Sequence, residues 1–360
     1  MNQTQQRNSS IELLRIFAAM AVVVLHYNNN SIGGGFSLVP PGSINEKCMF
    51  LIENFFIGAV DLFVLISAYF LSVSRKRKLI KVIDMLIQVI IFRCAFYFVE
   101  VLLGTPFSYR VFITKVLPSN YYVILYLVLY VISPYINIVF ECLEKQQRKS
   151  LVLTVFCVFS VGTYAVDIID TVTRTQTGGL SPVGMLGSQY GYTIVTFVLM
   201  YIIGAYIRYE DVSLSLKKTI PGIMLCVAVM YFTTSLETTY VLNRITWNYH
   251  NPIVIILAVL VFLSFKDLRI NSRVVNELAK GAFTCYIFHG DFMLLFGIPG
   301  IVTATASPVW TMLGHQAVVA VSFYLMSYVV YKIYSLFSAP VIRLITPLCD
   351  KVNLSAQQPY

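Results

Sequence analysis

Ile11-Glu12-Leu13-Leu14-Arg15-Ile16-Phe17-Ala18-Ala19-Met20-Ala21-Val22-Val23-Val24-Leu25-His26-Tyr27 is an apolar run with a cation near one end and an imidazole near the other. Read as a helix, the eleven steps from Arg15 to His26 at about 100° each return almost to the starting azimuth. Both side chains then share one face, roughly 16 Å apart along the axis. Charged and titratable groups inside an apolar helix are costly unless a partner or a water-filled cavity receives them. Two readings follow: each side chain snorkels to its own membrane interface, or the pair lines a common functional cavity.

Composition places that helix in a membrane protein. Of 360 residues, 58% are hydrophobic and 12% are charged, about half the charge of a soluble chain. Apolar runs near 11–30, 50–72, 79–103, 121–140, 150–169, 191–207, 219–235, 251–265, 283–298 and 310–338 predict an all-α, polytopic protein with about ten transmembrane helices. The first run carries a charge and no small-residue cleavage site, so it is read as a retained helix. Residues 1–345 are expected to form one integral membrane domain, with 346–360 as a cytoplasmic tail.

Basic residues set the expected orientation. With both termini inside, the inner loops, tails and adjoining helix ends hold twenty Lys and Arg. The outer loops hold five, and Arg93 lies within a helix. That asymmetry predicts cytoplasmic termini. The net charge of +9 therefore describes a basic inner rim and gives no support to nucleic-acid binding. Within the rim, Arg75-Lys76-Arg77-Lys78 is either a topology anchor or a grip for an anionic ligand.

Other patterns carry less. The seven cysteines show neither disulfide nor metal spacing, and no metal site is expected. The sequence has no Walker loop, dinucleotide fingerprint or serine nucleophile elbow. Gly33-Gly34-Gly35 reads as a flexible connector, and 167–190 as a lid or loose loop. Asn8-Ser9-Ser10 and Asn353-Leu354-Ser355 match a glycosylation pattern on the predicted inner side, where it has no meaning. No internal repeat is visible, which disfavours a two-halved transporter.

The ordered set of polar motifs resembles the acyltransferase-3 family of membrane O-acyltransferases. Arg15 and His26 match its arginine–ten residues–histidine hallmark in the first helix. Gly58-Ala59-Val60-Asp61-Leu62-Phe63-Val64-Leu65-Ile66-Ser67-Ala68-Tyr69 is similar to its second-helix segment, departing at Ala68, where the family usually has glycine. Tyr121-Tyr122, Leu129-Tyr130-Val131-Ile132-Ser133-Pro134, the Tyr201–Arg208 segment and Phe283-Thr284-Cys285-Tyr286-Ile287-Phe288-His289 extend the resemblance over about residues 8–340. It implies transfer of an acyl group, commonly acetyl from cytosolic acetyl-CoA, to a hydroxyl of a cell-surface polysaccharide or its lipid-linked precursor. The implied setting is a multi-pass protein of a cell membrane, with a bacterial cytoplasmic membrane expected.

Such chemistry needs a base and a donor grip. His26 suits the base. Arg15 suits donor phosphates as a planar fork, joined at the rim by Arg75, Lys76, Arg77 and Lys78. Asp61 is expected at a depth similar to His26, where it either orients the imidazole or makes a structural hydrogen bond. Tyr122, His289 and His250 are candidates for the acceptor side, although His289 also fits a polar bend and His250 an interfacial aromatic belt. Acyl-CoA, a glycan acceptor and membrane lipids are the expected partners. The competing class is a glycan or small-anion transporter or flippase on the same scaffold.

Overall fold

A computed structural model describes residues 8–117, 120–175, 177, 190–240, 244–352 and 354. Every regular element among them is helical, and the protein is an all-α polytopic membrane protein. Eight segments, from Ser9–Asn28 to Val309–Cys349, are long and apolar enough to cross a bilayer. The other two expected runs fall on shorter helices, Ile194–Tyr209 and Ala282–Phe296. The chain folds as two compact units.

The first unit comprises the described residues of 8–56, 78–124 and 272–354, and the helix Ser9–Asn28 packs among Ile44–Phe56, Ala282–Phe296 and Val309–Cys349. It starts where it does because the Asn8 side chain accepts hydrogen bonds from the Ser10 and Ile11 amides, satisfying donors that a helix start leaves open. Glu12 adds a negative charge at the positive end of the helix dipole. Asn8-Ser9-Ser10 is thus a cap. At the other end, Asn28 Nδ2 donates to Glu53 Oε2 at 2.9 Å, and Gln316 Nε2 donates to Asn28 Oδ1 at 2.8 Å. These bonds pin the helix that carries His26 to two neighbours.

The triple glycine corrects the expectation of a loose connector. The Gly33 amide donates to the His26 carbonyl at 2.9 Å, and a Cβ at Gly33 would lie 2.4 Å from the Tyr27 carbonyl oxygen. Gly34 holds φ at +83°, a region that disfavours other residues. The segment is a tight wrap over the helix end. The expected lid at 167–190 lies mostly outside the described residues. The last helix, Val309–Cys349, continues to 349 with Pro340 and Pro347 inside it, several residues into the stretch expected as tail.

The second unit comprises the described residues of 57–77 and 125–271. Its centre is Ala59–Leu71 against Ile194–Tyr209 and Pro252–Lys266. A Cβ on Gly204 would meet the Ala68 methyl at 2.5 Å and the Leu65 carbonyl oxygen at 3.1 Å. The departure from glycine at Ala68 is therefore absorbed by a glycine on the facing helix, and the backbones still approach closely. Asn137 ties down the end of Ala59–Leu71 by donating to the Leu71 and Ser74 carbonyls at 2.8 and 2.7 Å.

Candidate active site

His26 and His289 meet although 263 positions separate them: His289 Nε2 lies 2.6 Å from His26 Nδ1. Their rings are 4.6 Å apart between centroids. The other His289 nitrogen, Nδ1, is 2.6 Å from the Cys285 carbonyl oxygen one turn earlier on the same helix. A carbonyl oxygen only accepts, so the His289 Nδ1 proton is assigned from its partner. In a neutral ring Nε2 then holds the lone pair and accepts from His26 Nδ1–H. By the same step His26 Nε2 is left as the open lone pair of the chain. A backbone carbonyl thus fixes the tautomers of two side chains in series, the ordering task that a carboxylate performs behind the imidazole of a Ser-His-Asp triad.

His26 lines a cavity of about 160 Å³, with Arg93, Asn120, Tyr286, Gly290 and Asp291 in its wall. The helix Ser9–Asn28 supplies the histidine, Leu79–Leu102 the arginine and Ala282–Phe296 the tyrosine, glycine and aspartate. Gly290 stands beside the His26 ring, where a Cβ would come within 3.8 Å of Nδ1.

The remaining expected residues separate into several environments. Arg15 shares the His26 helix, and its Nη1 donates to Glu12 Oε2 at 2.7 Å. Tyr122 is buried with its ring 4.7 Å from that of Tyr286, so it backs the cavity wall without lining it. Asp61 belongs to the second unit, buried in the first turn of Ala59–Leu71, with Oδ2 unbonded among the described residues.

The basic cluster is not uniform. Arg75 pairs with Glu141, while Lys76 and Lys78 are exposed. Arg77 is buried, with Nε donating to Ser133 Oγ at 2.8 Å. Its Nη1 and Nη2 donate to the Ser74, Lys76 and Leu71 carbonyls. Its guanidinium is committed to the chain and holds the 71–77 turn.

His250 is fully buried, its Nε2 2.7 Å from Asp167 Oδ2. Asn248 Nδ2 donates to the same oxygen at 3.0 Å, and Ser160 Oγ donates to the His250 carbonyl at 2.7 Å. An interfacial anchor keeps its polar tip in contact with headgroups; His250 is instead enclosed in a polar knot of the second unit.

Sequence reasoning missed Arg93, Asn120 and Asp291 as cavity residues. Arg93 did carry a signal, because a cation in the middle of an apolar helix needs a reason. Asp291 stands two residues beyond His289 and was legible only as a neighbour.

The family model described as an acyltransferase domain, acyltransferase-3, matches residues 8–332. The chain belongs to the acyltransferase-3 family and is a membrane acyltransferase. No curated protein and no solved structure matches it.

Proposed function

We propose that the protein is a membrane-embedded O-acyltransferase that moves an acyl group, acetyl foremost, from acyl-CoA to a hydroxyl of a cell-surface polysaccharide or its lipid-linked precursor. The observation that carries this reading is the His26–His289–Cys285 carbonyl chain, ordered so that His26 Nε2 is the free base. In the reaction, Nε2 takes the acceptor hydroxyl proton while the oxygen attacks the thioester carbonyl. The tetrahedral intermediate then collapses, the C–S bond breaks, and the thiolate recovers the proton from Nε2. The products are the O-acyl ester and free CoA, and His26 returns to its starting tautomer. While it is an imidazolium, its Nδ1–H remains directed at the His289 lone pair, which stabilises the charge.

In this scheme Arg15 grips the donor phosphates from the same helix as His26, and the roughly 16 Å between them along the axis suits an extended pantetheine arm between phosphates and thioester. Glu12 occupies one guanidinium nitrogen, leaving the rest of the fork for phosphate oxygens. Lys78, exposed and in the same unit as Arg15, supplies further positive charge. Both termini face the cytosol in this scheme, in keeping with the distribution of basic residues. The membrane is a bacterial cytoplasmic membrane.

The test is to supply membranes of cells with and without the gene with radiolabelled acetyl-CoA and to measure alkali-labile label in the glycan fraction. Label that depends on the gene and on His26 is expected. Gene-dependent movement of glycan across the membrane, with no alkali-labile label, would replace this reading with a flippase.

A further inference from the structure

The His26 cavity holds two opposite charges that do not meet. Arg93 and Asp291 both line it, and Arg93 lies close enough to act electrostatically on Asp291. Neither makes a hydrogen bond or ion pair with a described residue. Arg93 Nε is buried and unbonded. A guanidinium and a carboxylate facing one apolar-walled space without partners are each costly. Such a pair persists where a ligand joins it.

The chemistry of that ligand is constrained from both sides. An anion would satisfy Arg93 and meet Asp291; a cation would do the reverse. A hydroxyl both accepts and donates, so neighbouring hydroxyls on one ring bridge the two side chains without net charge. Asn120 adds a donor, because its Oδ1 is taken by the Val123 amide at 3.1 Å while its amide nitrogen remains. Tyr286, braced by Tyr122, offers a flat apolar face for the C–H side of a sugar. At about 160 Å³, the space is of the size that takes one small ring.

We infer that this cavity is the acceptor subsite, binding a single uncharged sugar ring with Asp291 accepting from, and Arg93 and Asn120 donating to, hydroxyls beside the one presented to His26. The inference rests on the O-acyltransferase reading above. It makes Arg93 and Asp291 residues that determine acceptor specificity.

The experiment uses the purified full chain in lipid nanodiscs, labelled acetyl-CoA, and the glycolipid fraction of cells lacking the gene, titrated as acceptor. Arg93→Gln and Asp291→Asn should each raise the half-saturating amount of acceptor about tenfold, the weight of a hydrogen bond to a charged group. The half-saturating acetyl-CoA should stay within about twofold. Combining the two variants should cost less than the product of the single effects, since both act on one ligand. Reducing the carboxyl groups of the glycolipid fraction should leave it a full acceptor.

Unchanged acceptor dependence in either folded variant, or a shift confined to the donor, overturns the subsite. Loss of acceptance on carboxyl reduction overturns the uncharged ring. Wild-type protein that transfers no label removes the underlying reading and the subsite with it, whereas an active wild type with indifferent variants removes the subsite alone.

Discussion

Each unit buries a histidine whose Nε2 sits at hydrogen-bond distance from one partner: His289 at 2.6 Å from His26, and His250 at 2.7 Å from Asp167. By residue type the second pair is the better catalytic dyad, because a carboxylate behind an imidazole is the familiar arrangement. By surroundings it is the poorer one. His250 is fully buried, and a Cβ on Gly191 would fall 2.3 Å from its Nδ1, so backbone closes off the nitrogen that would have to act. The His26–His289 chain ends instead on a side chain that lines a cavity. The open end of the hydrogen-bond chain, more than the identity of its members, separates a candidate base from a structural knot.

The largest effect expected from that contrast is on turnover. His26→Ala should lower acyl transfer by about 10²–10⁴-fold, the usual weight of a general base, with the protein still folded and inserted. Specific activity measured on purified variant checks it. Wild-type turnover in folded His26→Ala would falsify the base assignment.

Asp167→Ala should show the opposite profile. Removing the carboxylate leaves the His250 and Asn248 donors buried without their acceptor, and each buried donor left unsatisfied costs about 1–3 kcal/mol. Yield and thermal stability should fall, while the folded fraction keeps its specific activity. A variant that is stable but inactive would make the second pair functional and dissolve the comparison.

His289 tests whether order in the chain matters. It is a positioning residue, acting through His26. His289→Leu removes the acceptor for His26 Nδ1–H and frees the tautomer, so kcat should drop by roughly 10–10²-fold, toward the low end of a lost general base, with donor and acceptor half-saturation unchanged. His289→Gln keeps an oxygen that can accept from Nδ1 and should retain more turnover than the leucine variant. Equal loss in both variants, together with lost stability, would reduce His289 to packing.

The same contrast explains what the sequence disclosed. Membrane class and most spans were legible because an apolar run of about 20 residues matches the thickness of a bilayer core and suits little else. The Arg15–His26 register was legible because it depends on the geometry of one helix. His289 was visible as a motif residue, but its partner was not, since helix arithmetic says nothing about which faces meet across 263 positions. His250 was read from its aromatic neighbours Trp247 and Tyr249, while the residue that defines its environment, Asp167, lies in another apolar helix. Arg77 was hidden among like charges: sequence cannot tell which member of Arg75-Lys76-Arg77-Lys78 turns inward.

The smallest effect expected is at a surface ion cluster and bounds what such a cluster contributes. Glu277, on the short helix Arg273–Leu278, accepts from Lys280 at 2.6 Å and Lys332 at 2.9 Å, with the Tyr328 hydroxyl at 3.2 Å. Bonds from Lys280 first, then Lys332, hold its carboxyl down at about 2, below the ordinary 4.5. A carboxylate depressed on folding contributes stability that is complete above its unfolded value and is lost as pH falls toward the folded one. Since the Glu277 side chain is 38% exposed, solvent and salt screen most of the Coulomb energy, and pairs of this kind are worth little. Glu277→Gln should therefore lower the melting temperature by roughly 1–4 °C at neutral pH, given the surface ion-pair range and the entropy of unfolding of a large chain. The difference from wild type should shrink as pH falls below 4.5 and as salt rises. A gap that persists unchanged at low pH would mean that Glu277 stabilises the fold through packing or neutral hydrogen bonds, and that its lysine partners contribute nothing measurable.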